Sequence, residues 1–183
     1  MDAPAIIAAL ETLLPGTGAQ ALVSIDQPTI LVPPDRLHDV CVALRDDPAF
    51  RFTALIDIVG VDALPREPRF EVNYSLVAVD VPARLRIKVR AGGEIPRVPS
   101  VAGVWPAAGF LEREVWDLFG VEFEGHPDMR RLLTPEDWEG HPLRKDYPVQ
   151  VDTPVTFDAP TEVTEEQFRA TMEKDRRLRG DGR

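Results

Sequence analysis

Apolar residues recur at helical spacing from the start of the chain. Ile6, Leu10, Leu13 and Leu14 mark a helix over residues 3–14, and Pro15-Gly16 ends it. Two short β-runs follow, Ala21–Ile25 and Thr29–Val32, joined through Asp26-Gln27-Pro28. Leu37, Val40, Cys41 and Leu44 fall at i, i+3, i+4 and i+7, which predicts a helix over Asp35–Arg45 with one buried stripe. Phe52–Val61 is a largely apolar run rich in branched residues and predicts a central strand. Arg69–Val79 alternates, with Phe70, Val72, Tyr74, Leu76 and Ala78 on one face. Arg84–Arg90 alternates too: Leu85, Ile87 and Val89 point inward, and Arg84, Arg86, Lys88 and Arg90 outward. Asp80-Val81-Pro82-Ala83 joins these strands as a hairpin. After the loop Arg90–Ser100, a helix is predicted from Pro106 to Phe119, with Gly120 as its stop. The order α-β-β-α-β-β-β-α predicts an α+β two-layer sandwich, a mixed sheet of about five strands with helices packed on it.

The pattern breaks after Gly120. Six of the 18 prolines fall between residues 127 and 160, a density that forbids long regular elements. The chain therefore divides into an α+β domain over 1–120, a charged loop segment over 121–148, and an extended tail over 149–183. Thr164-Glu165-Glu166-Gln167 reads as a capping box opening a helix at about 165–179, with a thin apolar stripe of Phe168 and Met172. With so little to bury, the C-terminal third is expected to take its shape from adjoining proteins.

Composition narrows the function. A formal net charge of −10 argues against nucleic acid and anionic lipid as partners. No apolar stretch is long enough to span a bilayer, and the N-terminus lacks the basic flank of a secretory signal. The single cysteine, Cys41, provides neither an internal disulfide nor the thiolate set of an iron–sulfur cluster.

Several motifs have plain structural readings. Gly16-Thr17-Gly18-Ala19-Gln20-Ala21 fits a dinucleotide fingerprint in letters, but a helix precedes it and a strand follows, the reverse of what that site needs. The stripe Arg84/Arg86/Lys88/Arg90 reads as a solvated face balanced by acids such as Glu71, or as a dock for an acidic surface. His126 and His141 sit in matching Gly-His-Pro triplets without the spacing of a metal-ligand pair. Around Glu112-Arg113-Glu114 the helical wheel places Leu111, Val115, Leu118 and Phe119 on one arc. Arg113, Glu114 and Asp117 lie opposite, and Glu112 lies at the edge of the buried arc. No nucleophile accompanies these carboxylates.

From Glu112 to Pro148 the chain reads E-R-E, then D-x-F-G, H-P-D-x-R-R-x-L and W-x-G-x-P-L-R-K-D-Y-P. In residues and order this resembles the signature of the 30-kDa subunit of respiratory complex I, which is the C subunit of the bacterial NADH–quinone oxidoreductase. Looser resemblance reaches upstream through Arg69-Phe70-Glu71-Val72 and Val98-Pro99-Ser100. One departure is Gly109-Phe110, where the family usually has Asn-Trp. The resemblance implies a non-catalytic peripheral-arm subunit on the cytoplasmic face of the bacterial inner membrane, associated with the membrane only through the complex. It implies docking against the subunit that is homologous to a hydrogenase large subunit, and against neighbouring iron–sulfur subunits. FMN, iron–sulfur clusters and quinone would be held by partner subunits, with no cofactor in this chain. The residues carried over as signature or interface positions are Glu112, Arg113, Glu114, Asp117, His126, Asp128, Arg130, Arg131, Arg144, Lys145, Asp146 and Tyr147. The helix acids and the loop cations are expected to lock together through charge-assisted hydrogen bonds, with Tyr147 as an aromatic anchor. Two other readings stay open: the equivalent subunit of a membrane-bound hydrogenase-type complex, and a standalone carboxylate- or metal-dependent hydrolase.

Overall fold

The structure, a computed structural model, describes residues 2–80, 82–148, 164–166 and 168–170. In chain order its elements are α1 (Ala3–Leu13), β1 (Gln20–Leu22), β2 (Thr29–Leu31), a 3-10 turn (Pro34–Arg36), α2 (Leu37–Asp46) and β3 (Ala54–Asp62). β4 (Phe70–Ala78), β5 (Ala83–Ala91), β6 (Arg97–Pro99), α3 (Ala108–Phe119) and β7 (Glu122–Glu124) follow. Met1–Tyr147 form one compact unit and Pro148–Arg183 a second. Of the tail helix expected over 165–179, residues 165, 166 and 168–170 are helical, and the remainder lies outside the described residues.

The alternating segments build the sheet. β3, β4 and β5 form consecutive antiparallel pairs, β2 adds parallel to β5, and β1 pairs antiparallel with β2, giving the order β1-β2-β5-β4-β3. This is the expected α+β arrangement of a mixed five-stranded sheet with helices. Phe70, Val72, Tyr74 and Leu76 of β4 and Leu85, Ile87 and Val89 of β5 are buried with Ile6 and Leu10 of α1 and Leu37, Val40, Cys41 and Leu44 of α2. Each such side chain contributes roughly 1.5–3 kcal/mol on leaving water. Asp2 caps α1, accepting from the Ala5 amide at 3.0 Å.

The other sheet face carries the charges. Glu71 gathers Lys88, Arg90 and Arg66, while Arg86 reaches Asp26. The basic stripe is thus largely neutralised by this chain's own acids.

Three expectations need revision. The apolar run 52–61 yields an edge strand rather than a central one, and its outward residues Ile56, Val59 and Val61 stay exposed. Its apolar content serves α3, which lies across β3 at Gly60: a Cβ there would come within 2.7 Å of Phe119 Cδ2 and 3.0 Å of Val115 Cγ1. β1 stops at Leu22, so Val23–Ile25 leave the strand. β6 and β7 form a two-stranded parallel sheet that no local pattern announced, because each is three residues long and finds its partner about 25 positions away in register Arg97↔Glu122.

Gly60→Val should therefore force α3 off β3. Overpacking of this kind costs about 1–3 kcal/mol. A lower urea midpoint with an unchanged slope is the expected result, and an unchanged midpoint would show that α3 does not need this close approach.

Candidate functional site

The loop that follows α3 returns across that helix and is fastened at three points. The first is Asp117. Its side chain is fully buried and accepts five hydrogen bonds: the amides of Leu132 (3.0 Å), Leu133 (2.7 Å) and Thr134 (2.9 Å), the Thr134 hydroxyl, and Arg131 Nη1 at 2.9 Å. Burial alone would push this carboxyl up, but Thr134, Arg131 and the Leu132 amide outweigh it and hold the group well below the usual carboxylate range. Arg131 extends the lock by donating to the carbonyls of Trp138 (2.6 Å) and Gly140 (3.1 Å), and its guanidinium lies 5.7 Å from the Trp116 ring centroid.

The second point is the C-terminal end of α3, whose last carbonyls have no partner within the helix. Gly120 takes the left-handed conformation at φ 71° and closes the turn onto Trp116 O. Residues 141–144 then satisfy the next carbonyls in sequence. His141 Nδ1 donates to Asp117 O (2.9 Å), the Leu143 amide to Leu118 O (3.0 Å), Arg144 Nε to Phe119 O (2.6 Å) and Arg144 Nη2 to Gly120 O (3.3 Å). Arg144 also places a cation at the negative end of the helix dipole. A Cβ at position 120 would collide with His141 and Arg144. Burial, with Arg144 and Arg131 nearby, pushes the His141 imidazole below its ordinary value.

The third point ties the loop to the sheet. Arg69 forms a fork on Asp62 (2.9 and 2.6 Å) and continues to Asp146 (2.9 and 2.7 Å). The Lys145 amide donates to Asp62 at 2.8 Å and its ammonium to Leu64 O at 3.2 Å. Arg69 and Arg144 lie 4.9 and 5.1 Å from the Phe70 ring centroid.

The remaining signature positions are placed as follows. Glu112 is fully buried and fastens the first half of α3 to the preceding loop, accepting from Ser100 Oγ (2.6 Å) and the Val101 amide (2.7 Å). Burial raises its carboxyl above the ordinary value against those two donors. Arg113 donates to the carbonyls of Arg130 and Arg131, both at 3.1 Å, and does not pair with Asp117. His126 Nε2 donates to Gly109 O (2.9 Å), and its Nδ1 accepts from the Asp128 amide (3.1 Å). Asp128 pairs with Arg130 at 3.0 Å on the surface. Tyr147 donates to Glu139 O (3.1 Å) and stacks on Trp138 with ring centroids 6.5 Å apart. Glu114 makes no ion pair among the described residues. Among the described residues, segment 121–147 is tied to the body by polar contacts of the expected charge-assisted kind, which add what its thin apolar burial lacks. Asp117 moves from the polar arc to the interior because the loop folds over that arc.

Sequence reasoning missed Asp62 and Thr134 as anchors, and Ser100 as the partner of Glu112. Asp62 and Lys145 are 83 positions apart, and no local spacing links them. Outside these locks the loop presents Leu132, Leu133 (60% exposed), Trp138 and Leu143 (51%) to solvent. Among the described residues no group of three or more His, Cys, Asp or Glu side chains is placed to hold a metal ion. What the geometry provides is a fixed surface of apolar side chains on a polar frame.

Comparison with known proteins gives this frame a context. Residues 30–153 match the profile of a family described as respiratory-chain NADH dehydrogenase, 30 Kd subunit. The chain is 44% identical over 149 residues to the NADH-quinone oxidoreductase C subunit of Roseiflexus castenholzii, covering 81% of this chain and 86% of that one. Among solved structures it resembles a trypsin-resistant fragment (1-134) of Nqo5, with a TM-score of 0.56 and 34% identity over 67% of this chain and 98% of that chain. It also resembles a chain of the membrane-bound sulfane sulfur reductase, an archaeal respiratory membrane complex, with a TM-score of 0.67 and 28% identity over 80% of this chain and 85% of that chain.

Asp117→Ala should cost about 3–5 kcal/mol, because it strands Arg131 and three amides. Urea unfolding checks the size, and hydrogen exchange at the Leu132–Thr134 amides checks the location. The two buried carboxylates predict opposite pH behaviour. Asp117 is depressed, so its contribution is complete above 3.8 and is lost as pH falls below that value. Glu112 is raised, so its contribution is complete below 4.5 and is lost as pH rises through its folded value. Glu112→Gln should flatten the part of the stability profile that lies above 4.5 and leave the acid limb in place.

Proposed function

The chain belongs to the family of the 30 Kd subunit of respiratory-chain NADH dehydrogenase, and from that premise we propose that it is a non-catalytic peripheral-arm subunit of a proton-pumping NADH–quinone oxidoreductase. It docks and stabilises the quinone-reducing module. FMN, iron–sulfur clusters and quinone belong to partner subunits, foremost the one homologous to a hydrogenase large subunit, and the assembly lies on the cytoplasmic face of the bacterial inner membrane. The observation that carries this reading is the pair of locks at Asp117–Arg131 and at the end of α3, which together hold Leu132, Leu133, Trp138 and Leu143 outward on a fixed frame. Surface that is rigid before binding loses less entropy on association, and exposed aromatic and aliphatic anchors of this kind supply most of an interface's energy. Among the described residues no helix is long and apolar enough to cross a membrane, which suits attachment through other subunits.

A second reading is favoured by the likeness to the sulfane sulfur reductase chain: the same docking role in a hydrogenase-type membrane complex with another electron donor. The two separate by what co-purifies from detergent-solubilised membranes. A flavin-bearing NADH-oxidising subunit supports the first, and its absence from an otherwise intact complex supports the second.

Leu133→Asp combined with Trp138→Asp should lower recovery of the assembled complex by about tenfold or more. The stability of the isolated chain in urea should fall by only about 1–2 kcal/mol, because Leu133 faces solvent and Trp138 loses little beyond its ring stack on Tyr147. Full assembly and full NADH–quinone activity in the double variant would refute the docking role.

A further inference from the structure

The end of the sheet far from the signature loop carries apolar surface that the loop does not account for. Val23 and Ile25, in the link between β1 and β2, are fully exposed at 104% and 105%. The link is nevertheless held: Ser24 Oγ donates to Asp26 Oδ1 at 2.6 Å, and Arg86 of β5 donates to both Asp26 oxygens at 2.8 and 3.4 Å. Beside it lies a groove of about 590 Å3, lined among others by Pro28, Val77, Val79, Pro82 and Arg84. Val79 at the hairpin tip is 71% exposed.

The charges here leave one remainder. Asp26 is taken by Arg86, and Asp80 by Arg51. Lys88 and Arg90 are taken by Glu71. Arg84, on the groove wall, is the one cation of the β5 stripe without an ion pair among the described residues. The groove therefore joins branched apolar side chains to a single uncompensated positive charge.

We propose that this groove is a second protein-docking site, whose occupant is a segment of a neighbouring subunit that presents apolar side chains beside a carboxylate. The inference rests on the reading of the chain as an assembled subunit, but it concerns a different surface. The carboxylate is what Arg84 lacks, and the apolar side chains are what Val23, Ile25 and Val79 lack. A phosphate-rich partner, whether nucleic acid or anionic membrane, needs several free cations and meets a chain of net charge −10. A second copy on a twofold axis through the groove would set Arg84 against Arg84. Since β4 and β5 each run nine residues from this end to the Asp62–Arg69–Asp146 cluster, the two surfaces stand roughly 25–30 Å apart. One subunit can thus contact two neighbours at once.

The test compares the full chain alone with the complex purified from its own membranes, by hydroxyl-radical footprinting and by a photo-crosslinking amino acid at position 25. The expected result is oxidation of Val23, Ile25 and Val79 slowed about tenfold in the complex. Crosslinks should run to a neighbouring-subunit peptide containing Asp or Glu. Arg84→Glu should cut the crosslink yield about tenfold, and Arg84→Lys should largely retain it. Both variants keep the urea midpoint, since Arg84 is exposed and unpaired. Equal oxidation in a complex that contains the chain overturns this inference alone, as do crosslinks only to lipid or to a second copy. Absence of the chain from any membrane complex overturns the docking role as well.

Discussion

A buried carboxylate must be met by donors or it cannot stay ionised, and Asp117 imposes that condition on everything around it. Its donors come from residues 131–134, so the loop cannot leave α3 without stranding the carboxylate and Arg131 together. The carbonyls at the end of α3 place a second demand of the same kind on residues 141–144. A segment with few apolar anchors thereby gains a fixed course from polar satisfaction. Its apolar side chains are released from the task of holding the fold and are free to face outward.

The same helix carries both kinds of buried acid, and the difference between them is a matter of donors. Glu112 has a hydroxyl and one amide, too few to offset burial, and is raised. Asp117 has three amides, a hydroxyl and a guanidinium, and is lowered. One side chain ties α3 to the loop before it and the other to the loop after it. The Arg69–Asp62–Asp146 chain then joins the far end of that loop to the sheet edge. Arg69 and Asp62 are nearly buried while Asp146 is half exposed, so the inner half of this relay resists salt better than the outer half.

The parts of this architecture that depend on local pattern were legible in the chain. The alternation of β4 and β5 gave their inward faces correctly, and the i, i+3, i+4, i+7 stripe gave the buried face of α2. What local pattern does not carry is which element covers which. An apolar run such as 52–61 reads the same whether two layers cover it or one helix does, and Gly60 told nothing until Phe119 was seen against it. The helical wheel placed Asp117 on the polar side of α3 without showing that the chain returns over that side. The signature positions themselves were picked out through resemblance. Their division into inward locks and outward side chains was not, because anchors such as Asp62 lie far away in sequence.

That division bears on what a resemblance in these residues means. Arg113, Asp117, Arg131, His141 and Arg144 spend their polar groups on this chain's own backbone and side chains, so they specify the shape of the loop rather than a partner. The side chains the loop holds outward are different ones: Leu132, Leu133, Trp138 and Leu143. A frame closed by internal contacts needs no particular partner to form. Such a frame suits a likeness that extends both to the NADH-quinone oxidoreductase C subunit and, at 28% identity, to a chain of a sulfane sulfur reductase.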